Sequence, residues 1–174
     1  MNTIRTTLIV VAIALLGAAC GTADASGPPE IQYGRDICVE CNMIISEARF
    51  ATAYRLADGT DRKFDDVGDM VVYLQETGET PTDSWVHDFE TEEWIEASAA
   101  HFVPTLSVSS PMGHSIVAFS DLERATAFAV DVGGEVIHWD VVRALPAADG
   151  LVGHHHMGIQ MDDESNDDHS RHDS

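Results

Sequence analysis

The chain is 174 residues long and carries a formal net charge of −21, with 30 Asp and Glu residues against 9 Lys and Arg. So acidic a surface disfavours nucleic acid and anionic lipid headgroups as partners. Once an export signal is removed, about 150 residues remain, which is enough for one ordinary domain or for two very small ones.

The first twenty residues predict an export signal that ends at a lipid attachment site. A polar start carrying Arg5 precedes an apolar run over 8–16, which is too short for a stable membrane span. Small residues then lead to Cys20, as in the bacterial lipobox, although Gly17 stands where that box usually has leucine. We therefore predict a signal over 1–20 with Cys20 lipidated, and an ordinary cleaved signal is the alternative.

Two further stretches lack apolar periodicity. Residues 21–35 consist mainly of small, Pro and charged residues, which predicts a flexible linker that buries no side chain. Asp and Ser dominate the end of the chain, which predicts a disordered tail over 153–174. Its cluster of three histidines and a methionine at 154–157 is a candidate for weak metal collection, and adventitious binding explains it equally well.

Between these stretches the pattern predicts an internal repeat. The segment FDDV at 64–67 resembles FSDL at 119–122, and the same offset of 55 residues aligns Tyr73 with Phe128. Two related units of ββαβ type are therefore expected, each with one helix packed on a small, mostly antiparallel sheet. The predicted fold class is α+β.

The first unit is predicted to span 36–98. Alternating apolar residues over 50–56 predict a strand that leads to a two-residue hairpin turn at 58–59. Apolar residues spaced i, i+3, i+4 and i+7 follow the aspartate pair at 65–66, which predicts a short helix capped by one of those aspartates. A strand over 85–89 is expected to close the unit.

The second unit is predicted to span 99–152 in the same order. Strands are expected within 100–108 and over 115–119. A Ser-x-x-Glu signature at 120–123 predicts a capping box at the start of the next helix. The apolar residues over 136–142 predict a closing strand.

The most informative motif is the segment CVECNM at 38–43, which places two thiols and a thioether close together. Thiolate and thioether sulfur select cuprous copper, Cu(I), whereas zinc normally takes Cys and His ligands. The chain has three cysteines, so a lipidated Cys20 leaves only Cys38 and Cys41, too few for a four-cysteine zinc or iron–sulfur site. A Cu(I) site that includes Met43 is the main hypothesis.

Three other interpretations of the cysteine pair stay open. A structural disulfide suits an oxidising compartment. A thiol–disulfide oxidoreductase would need the pair at the start of a helix, yet the next predicted element is a strand near Arg49. A sulfur-dependent enzyme such as a carbon–metal bond lyase would need a carboxylate at the thiols, and the carboxylates are expected on the surface unless Asp36 or Glu40 serves. Common hydrolase and phosphate-loop motifs are absent from the sequence.

Two loop residues are further candidates. Met112 lies in a Pro-Met-Gly turn with little to pack against, so it is a candidate ligand. His114 is a weaker candidate, because a histidine in a loop is by default solvated. Core packing is the expected role of Met70. His87 and His138 are expected in strands, satisfied by packing and hydrogen bonds and outside the site.

The motifs together resemble the family of NosL, the accessory lipoprotein of nitrous oxide reductase. The matching segments, in chain order, are Cys38-x-x-Cys41-x-Met43-x-Ile45, Phe64-Asp65-Asp66-Val67-Gly68 with Tyr73-Leu74, Trp85-Val86-His87-Asp88, Thr91-x-x-Trp94-Ile95-x-Ala97-x-x-Ala100-x-Phe102-Val103, Ser110-Pro111-Met112-Gly113, Ala118-Phe119 and Gly133-Gly134-x-Val136. The resemblance implies a periplasmic copper chaperone, not an enzyme, that binds Cu(I) and supplies the reductase's tetranuclear copper–sulfide centre.

Carried over by position, the resemblance implies a metal site of Cys41 and Met43, then Cys38 and Met112. It also implies partners, namely the apo form of nitrous oxide reductase and copper-handling membrane proteins, and an N-terminal lipid anchor on the extracytoplasmic face of a membrane. One departure from the family pattern is Asn42, where members often have glycine.

Overall fold

A computed structural model describes residues 27–146, so the signal, Cys20 and the tail from 153 lie outside the described residues. The helices and strands are β1 Thr52–Arg55, β2 Asp61–Phe64, α1 Val67–Thr77, β3 Asp83–His87, β4 Trp94–Glu96, β5 His101–Pro104, β6 Ile116–Phe119, α2 Leu122–Val132 and α3 Trp139–Ala144, with short 3-10 turns at Ala48–Phe50 and Ala97–Ala99. Within 27–146, no helix combines the length and apolarity that crossing a membrane requires.

Strands β1 to β4 form an antiparallel sheet in the order β2-β1-β3-β4. The central strand β1 pairs through Thr52 with Phe64 on one side and with Val86 on the other. The predicted hairpin is present, but its loop has three residues instead of two, because Leu56 N donates to Thr60 O. Gly59, with φ of 84°, takes the left-handed position that such a loop requires.

Helix α1 confirms the predicted helix and its cap. Asp66 is the N-cap, and its Oδ1 accepts a hydrogen bond from Asp69 N at 2.9 Å. The buried stripe of α1 includes Met70 and Val71, which belong to the same apolar cluster as Phe64 of β2. Met70 is therefore a core residue, as predicted.

Strands β5 and β6 form a second, two-stranded antiparallel sheet, which α2 covers. The N-cap of α2 is Asp121, whose Oδ1 accepts from Arg124 N at 2.9 Å. The predicted Ser-x-x-Glu capping box is therefore wrong by one residue. Ser120 instead donates its hydroxyl to Asp88, at the end of β3.

The predicted closing strand over 136–142 is wrong. Only Ile137 pairs with the second sheet, through an isolated bridge to Phe102, and α3 begins at Trp139. The segment carries helical spacing within its apolar run, because Trp139 and Val142 lie three residues apart, Val142 in the apolar core and Trp139 packed against it. Asp140 in the first turn and Arg143 in the last also match the helix dipole.

The α+β class is confirmed, and buried polar contacts join the two sheets. Asp88 is fully buried and receives Arg124 Nη2 at 2.6 Å and Ser120 N at 2.8 Å, so the end of β3 is fastened to the start of α2. The unit boundaries at 36–98 and 99–152 stay a prediction.

The described part of the predicted linker is packed against the fold. Ile31 is buried in the main apolar cluster, and Gly34 N donates to Ile45 O at 2.8 Å. Tyr33 adds a hydrogen bond from its hydroxyl to His87 at 3.1 Å. The expectation that residues 21–35 bury no side chain is therefore wrong. Burial of the apolar Ile31 side chain stabilises the packed conformation by more than the entropy that a flexible segment would keep.

Candidate metal centre

The two thiols lie on a tight loop closed by a β-bridge. Ile37 and Ile44 pair across the loop, and Cys38 N donates to Met43 O at 2.8 Å. Neither cysteine belongs to the first turn of a helix, whereas an oxidoreductase carries its cysteine pair at the start of one.

Asn42 explains how this loop tolerates the departure from the family pattern. Its φ is 61°, in the left-handed region that glycine adopts freely and that asparagine tolerates better than most residues. Asn42 N also donates to Cys38 O at 3.1 Å and closes the turn. Asparagine therefore accommodates the positive φ that this turn has at residue 42.

Cys38 and Cys41 are both free thiols with different exposure. Cys38 is fully buried, whereas Cys41 is partly exposed. Cys41 N approaches Cys38 Sγ at 3.5 Å, and the two Sγ atoms and a carboxylate oxygen of Asp69 all lie within 4.8 Å of one another. The structure thus joins the cysteine pair to a third metal-ligating group from a distant part of the chain.

Asp69 stands at the centre of this cluster. It lies in the first turn of α1, three residues after the N-cap, and is 2% exposed. Its Oδ2 accepts the Cys38 thiol at 3.1 Å, and its Oδ1 lies 3.3 Å from His114 Nε2. Burial raises the pKa of Asp69, but hydrogen bonds from His114, Cys41 and Cys38 outweigh burial and hold that pKa below its usual range.

The thiols are poor acids in the metal-free protein. Burial raises the pKa of both Cys38 and Cys41, and the hydrogen bond to Asp69 raises each further. Both groups are therefore neutral thiols at pH 7, whereas an oxidoreductase needs a thiolate of lowered pKa. This environment argues against the oxidoreductase alternative, while a bound metal ion would itself favour the thiolate.

The two candidate methionines are exposed side chains on two loops that are held to the same helix as the cluster. Met43 is 50% exposed and Met112 is 38% exposed, so neither fills the core. Met43 follows Cys41 on the same loop. Met112 lies between β5 and β6, where its N–H donates to Asp66 Oδ2 at 3.4 Å. The structure thereby links the Met112 loop to the helix that carries Asp69.

His114 is not the solvated loop histidine that its position predicts. Its side chain is only 14% exposed, and its ring packs on Gly68 so closely that a Cβ there would lie 2.0 Å from His114 Cγ. The hydrogen bond with Asp69 raises the pKa of His114 above its usual value, although burial opposes it. The imidazole therefore lies at the edge of the cluster, with the absence of a Cβ at Gly68 making room for it.

The other sequence candidates are accounted for elsewhere in the fold. His87 is buried, accepts from Tyr33 and hydrogen-bonds Ala51 O, so its predicted packing role is confirmed. His138 precedes α3 as its N-cap residue and is exposed, although its ring contacts that of His101, so its predicted place in a strand is wrong. Asp36 pairs with Lys63 at 2.7 Å, so its carboxylate is engaged in an ion pair.

The sequence analysis missed the buried carboxylates. Asp66 and Asp69 are almost completely buried beside the cluster, so the expectation that carboxylates lie scattered on the surface is wrong for both. The helix pattern placed Asp66 at the start of α1 and Asp69 in its first turn, but no local signal shows that this turn meets the cysteine loop. The carboxylate that a lyase would need is therefore present, as Asp69.

These observations define an α+β protein with a sulfur-rich candidate metal centre where a cysteine loop meets a helix N-terminus. A family model described as NosL matches residues 31–145, and the chain belongs to the NosL family, as its motifs predicted. The chain is similar to the copper-binding lipoprotein NosL of Stutzerimonas stutzeri, at 25% identity in an alignment 149 residues long that covers 78% of each chain.

The fold also resembles a solved structure. The crystal structure of the copper chaperone NosL from Shewanella denitrificans aligns with a TM-score of 0.55 at 24% identity, covering 66% of this chain and 96% of that one. One relative is named a copper-binding lipoprotein and the other a copper chaperone, and neither name describes a reaction.

Proposed function

We propose that this protein is a non-enzymatic chaperone for cuprous ion, tethered through lipidated Cys20 to the extracytoplasmic face of a membrane, which delivers copper to apo nitrous oxide reductase. One observation carries the proposal: two free thiols lie within 4.8 Å of each other on a loop that also presents an exposed thioether. Soft sulfur ligands of this kind select Cu(I). Membership of a family whose relatives are named for copper supports it.

In the proposed site, Cys41 is the principal ligand and Met43, Cys38 and Met112 complete or exchange in the shell. Cys41 is partly exposed, so an incoming acceptor can reach an ion bound there. A cuprous ion held by two or three sulfurs is coordinatively unsaturated. A sulfur or nitrogen of the acceptor can therefore bind before the donor ligands leave, and copper passes by ligand exchange.

The enzyme alternatives have less support. Asp69 provides the carboxylate that a lyase would use, but the relatives' names describe copper binding and not a reaction. The oxidoreductase alternative is weakened by the raised pKa of both thiols. It would also leave the exposed Met43 without a role.

An anaerobic titration tests the proposal. The reduced protein without its signal is titrated with Cu(I) against a competing chelator, and about one tightly held ion per monomer is expected. Transfer is then measured by mixing the loaded protein with apo reductase in the presence of the chelator, where the reductase should gain copper. Failure to compete with the chelator would refute the copper site, and tight binding without transfer would refute the delivery step alone.

A further inference from the structure

The candidate metal centre is assembled from two loops that are far apart in sequence. Asp66 contacts both Asp69, which holds the first loop, and the second loop itself. The cysteine loop is held through Asp69, which lies in the first turn of α1. The loop at 110–115 is held through Asp66, the N-cap of the same helix. The relative placement of the thiols and of Met112 therefore depends on a single turn of helix.

Asp66 makes contacts that exceed the needs of a helix cap. Its Oδ1 performs the capping, by accepting from Asp69 N at 2.9 Å. Its Oδ2 is free of that task and accepts the Ser110 hydroxyl at 2.6 Å and Met112 N at 3.4 Å. One oxygen thus organises the helix, and the other fastens the loop that carries Met112.

The loop is then braced by its own hydrogen bonds. Ser110 Oγ accepts from Ser115 N at 2.9 Å, so Ser110 links Asp66 to the far end of the loop. Gly113 N donates to Ser110 O at 3.0 Å and closes the turn around Met112. Ser115 takes a left-handed φ of 57°, a conformation that must be held by such contacts. The exposed thioether of Met112 therefore projects from a loop with a defined position.

We infer that Asp66 is a positioning residue for copper binding, which holds the Met112 thioether in place to join the cysteine ligands through its bonds to Ser110 and Met112 N. This inference rests on the proposed function. A flexible loop would lose conformational entropy each time its methionine engaged an ion, so a loop fixed in advance binds more tightly. Asp66 affects copper without touching it.

The second helix supplies a matched control. Asp121 is the N-cap of α2, accepts from Arg124 N at 2.9 Å, and occupies the repeat position that corresponds to Asp66. The structure gives Asp121 no bond to a ligand-bearing loop among residues 27–146. Asp121→Asn and Asp66→Asn therefore alter equivalent caps and remove equal charge, but only the second releases the 110–115 loop.

The test is a double-mutant cycle on Cu(I) affinity, measured anaerobically against a chelator. Met112→Leu is expected to lower affinity about tenfold in the parent and in Asp121→Asn, but less than about threefold in Asp66→Asn, because Met112 is already misplaced there. The loss of charge at Asp66 changes the Cu(I) affinity equally whether residue 112 is Met or Leu, so it cancels from the comparison. X-ray absorption at the copper edge should show fewer sulfur neighbours in Asp66→Asn than in Asp121→Asn.

A second variant keeps the test decisive if Asp66→Asn does not fold. Ser110→Ala leaves the carboxylate and the helix cap intact and removes only the hydroxyl bridge, and it should also reduce the effect of Met112→Leu. If Met112→Leu costs nothing in the parent, the copper site lacks Met112 and the proposed ligand set fails. If it costs the full tenfold in the parent, in Asp66→Asn and in Ser110→Ala, the ligand set stands and the positioning role of Asp66 is overturned.

Discussion

The Cys38 thiol donates a hydrogen bond to Asp69 Oδ2 across 3.1 Å, which joins the first cysteine of the motif to the first turn of α1. Both groups are almost completely buried, so the bond is shielded from water and from competing ions. The same carboxylate also faces His114. An acceptor at this place keeps this first thiol of the motif directed at the cluster while no metal is bound.

Replacing Asp69 should make the thiols more acidic. Asp69→Asn removes the negative charge that disfavours a thiolate, so the pKa of Cys38 and of Cys41 should fall, while burial keeps both above their usual range. The check is the ultraviolet absorbance of the thiolate and the alkylation rate of Cys41 as functions of pH. Asp121→Asn, remote from the thiols, is the control. Unchanged thiol titration in Asp69→Asn would contradict this account.

Gly68 should resist substitution because of His114. An alanine Cβ at 68 would lie 2.0 Å from His114 Cγ and 2.3 Å from its Cβ, so the ring must move. Overpacking of this kind costs about 1–3 kcal/mol, which exceeds the roughly 1 kcal/mol that Gly→Ala contributes inside a helix. Gly68→Ala should therefore lower the free energy of unfolding, measured with denaturant.

A partner variant identifies the cause. In a His114→Gly background the obstructing side chain is gone, so Gly68→Ala should become neutral or stabilising there. A loss of the same size in both backgrounds would show that the close approach of His114 is not what makes glycine necessary at 68.

Asp65 should make the metal-free protein less stable at neutral pH than in mild acid. Burial, with the neighbouring charges of Asp66 and Asp69, raises the pKa of Asp65 to about 6, and its Oδ1 lacks a hydrogen-bond partner. Because the folded pKa lies above the unfolded value, this contribution to stability is complete below pH ~4 and is lost as pH rises through ~6.

The corresponding variant is Asp65→Asn. At pH 7 it should raise the free energy of unfolding by on the order of 1 kcal/mol and flatten the dependence on pH between about 4 and 6. Asp131→Asn removes the same charge from an exposed position on α2 and is the control. Equal pH profiles for Asp65→Asn and the parent would show that the Asp65 carboxylate is not held in an unfavourable site.

Local signals account for what the sequence predicted of the fold. Each helix with a side-chain cap begins after an aspartate and ends at a glycine with positive φ, as at Asp66 and Gly78, and such caps are readable within a few residues. The strand predicted over 136–142 was wrong because Val and Ile favour strands. The position of α3 depends on the contact between Trp139 and Phe102, which comes from tertiary packing.

In the candidate site, too, some residues could be recognised from local sequence and others depend on tertiary packing. The sulfur residues of 38–43 were recognisable because their chemistry is carried by the motif itself. Asp69 was not, because it looks locally like an ordinary helix residue, and His114 was only a weaker candidate, because it looks locally like an ordinary loop residue. Only the docking of α1 against two loops brings them to the thiols, and that contact has no counterpart in local spacing.

The lipid tether should govern location without affecting the fold. Cys20 lies outside the described residues, and Cys20→Ser leaves unchanged the packed segment from 27 that contains Ile31. The variant should appear in the soluble fraction after cell lysis, whereas the parent should sediment with membranes. Copper affinity should be the same for both proteins. A variant that still sediments with membranes would argue against lipidation at Cys20.

The ligand assignment depends on Cys41 and Met43. Thiolate is the stronger donor for Cu(I), so Cys41→Ala should lower affinity most, by at least about 100-fold, or ~2.7 kcal/mol. Met43→Leu removes the thioether and conserves volume, and Met43 is half exposed, so a loss of about tenfold would report ligation and not packing.

Met70→Leu is the matched control for that substitution. Met70 is fully buried on α1, so the same change there should cost less than about 1.5 kcal/mol of stability and leave Cu(I) affinity unchanged. All three variants are titrated anaerobically against one chelator, with folding checked by circular dichroism. If Cys41→Ala and Met43→Leu both stay within about tenfold of the parent, the copper-site assignment fails, and the cysteine pair is better explained as a disulfide.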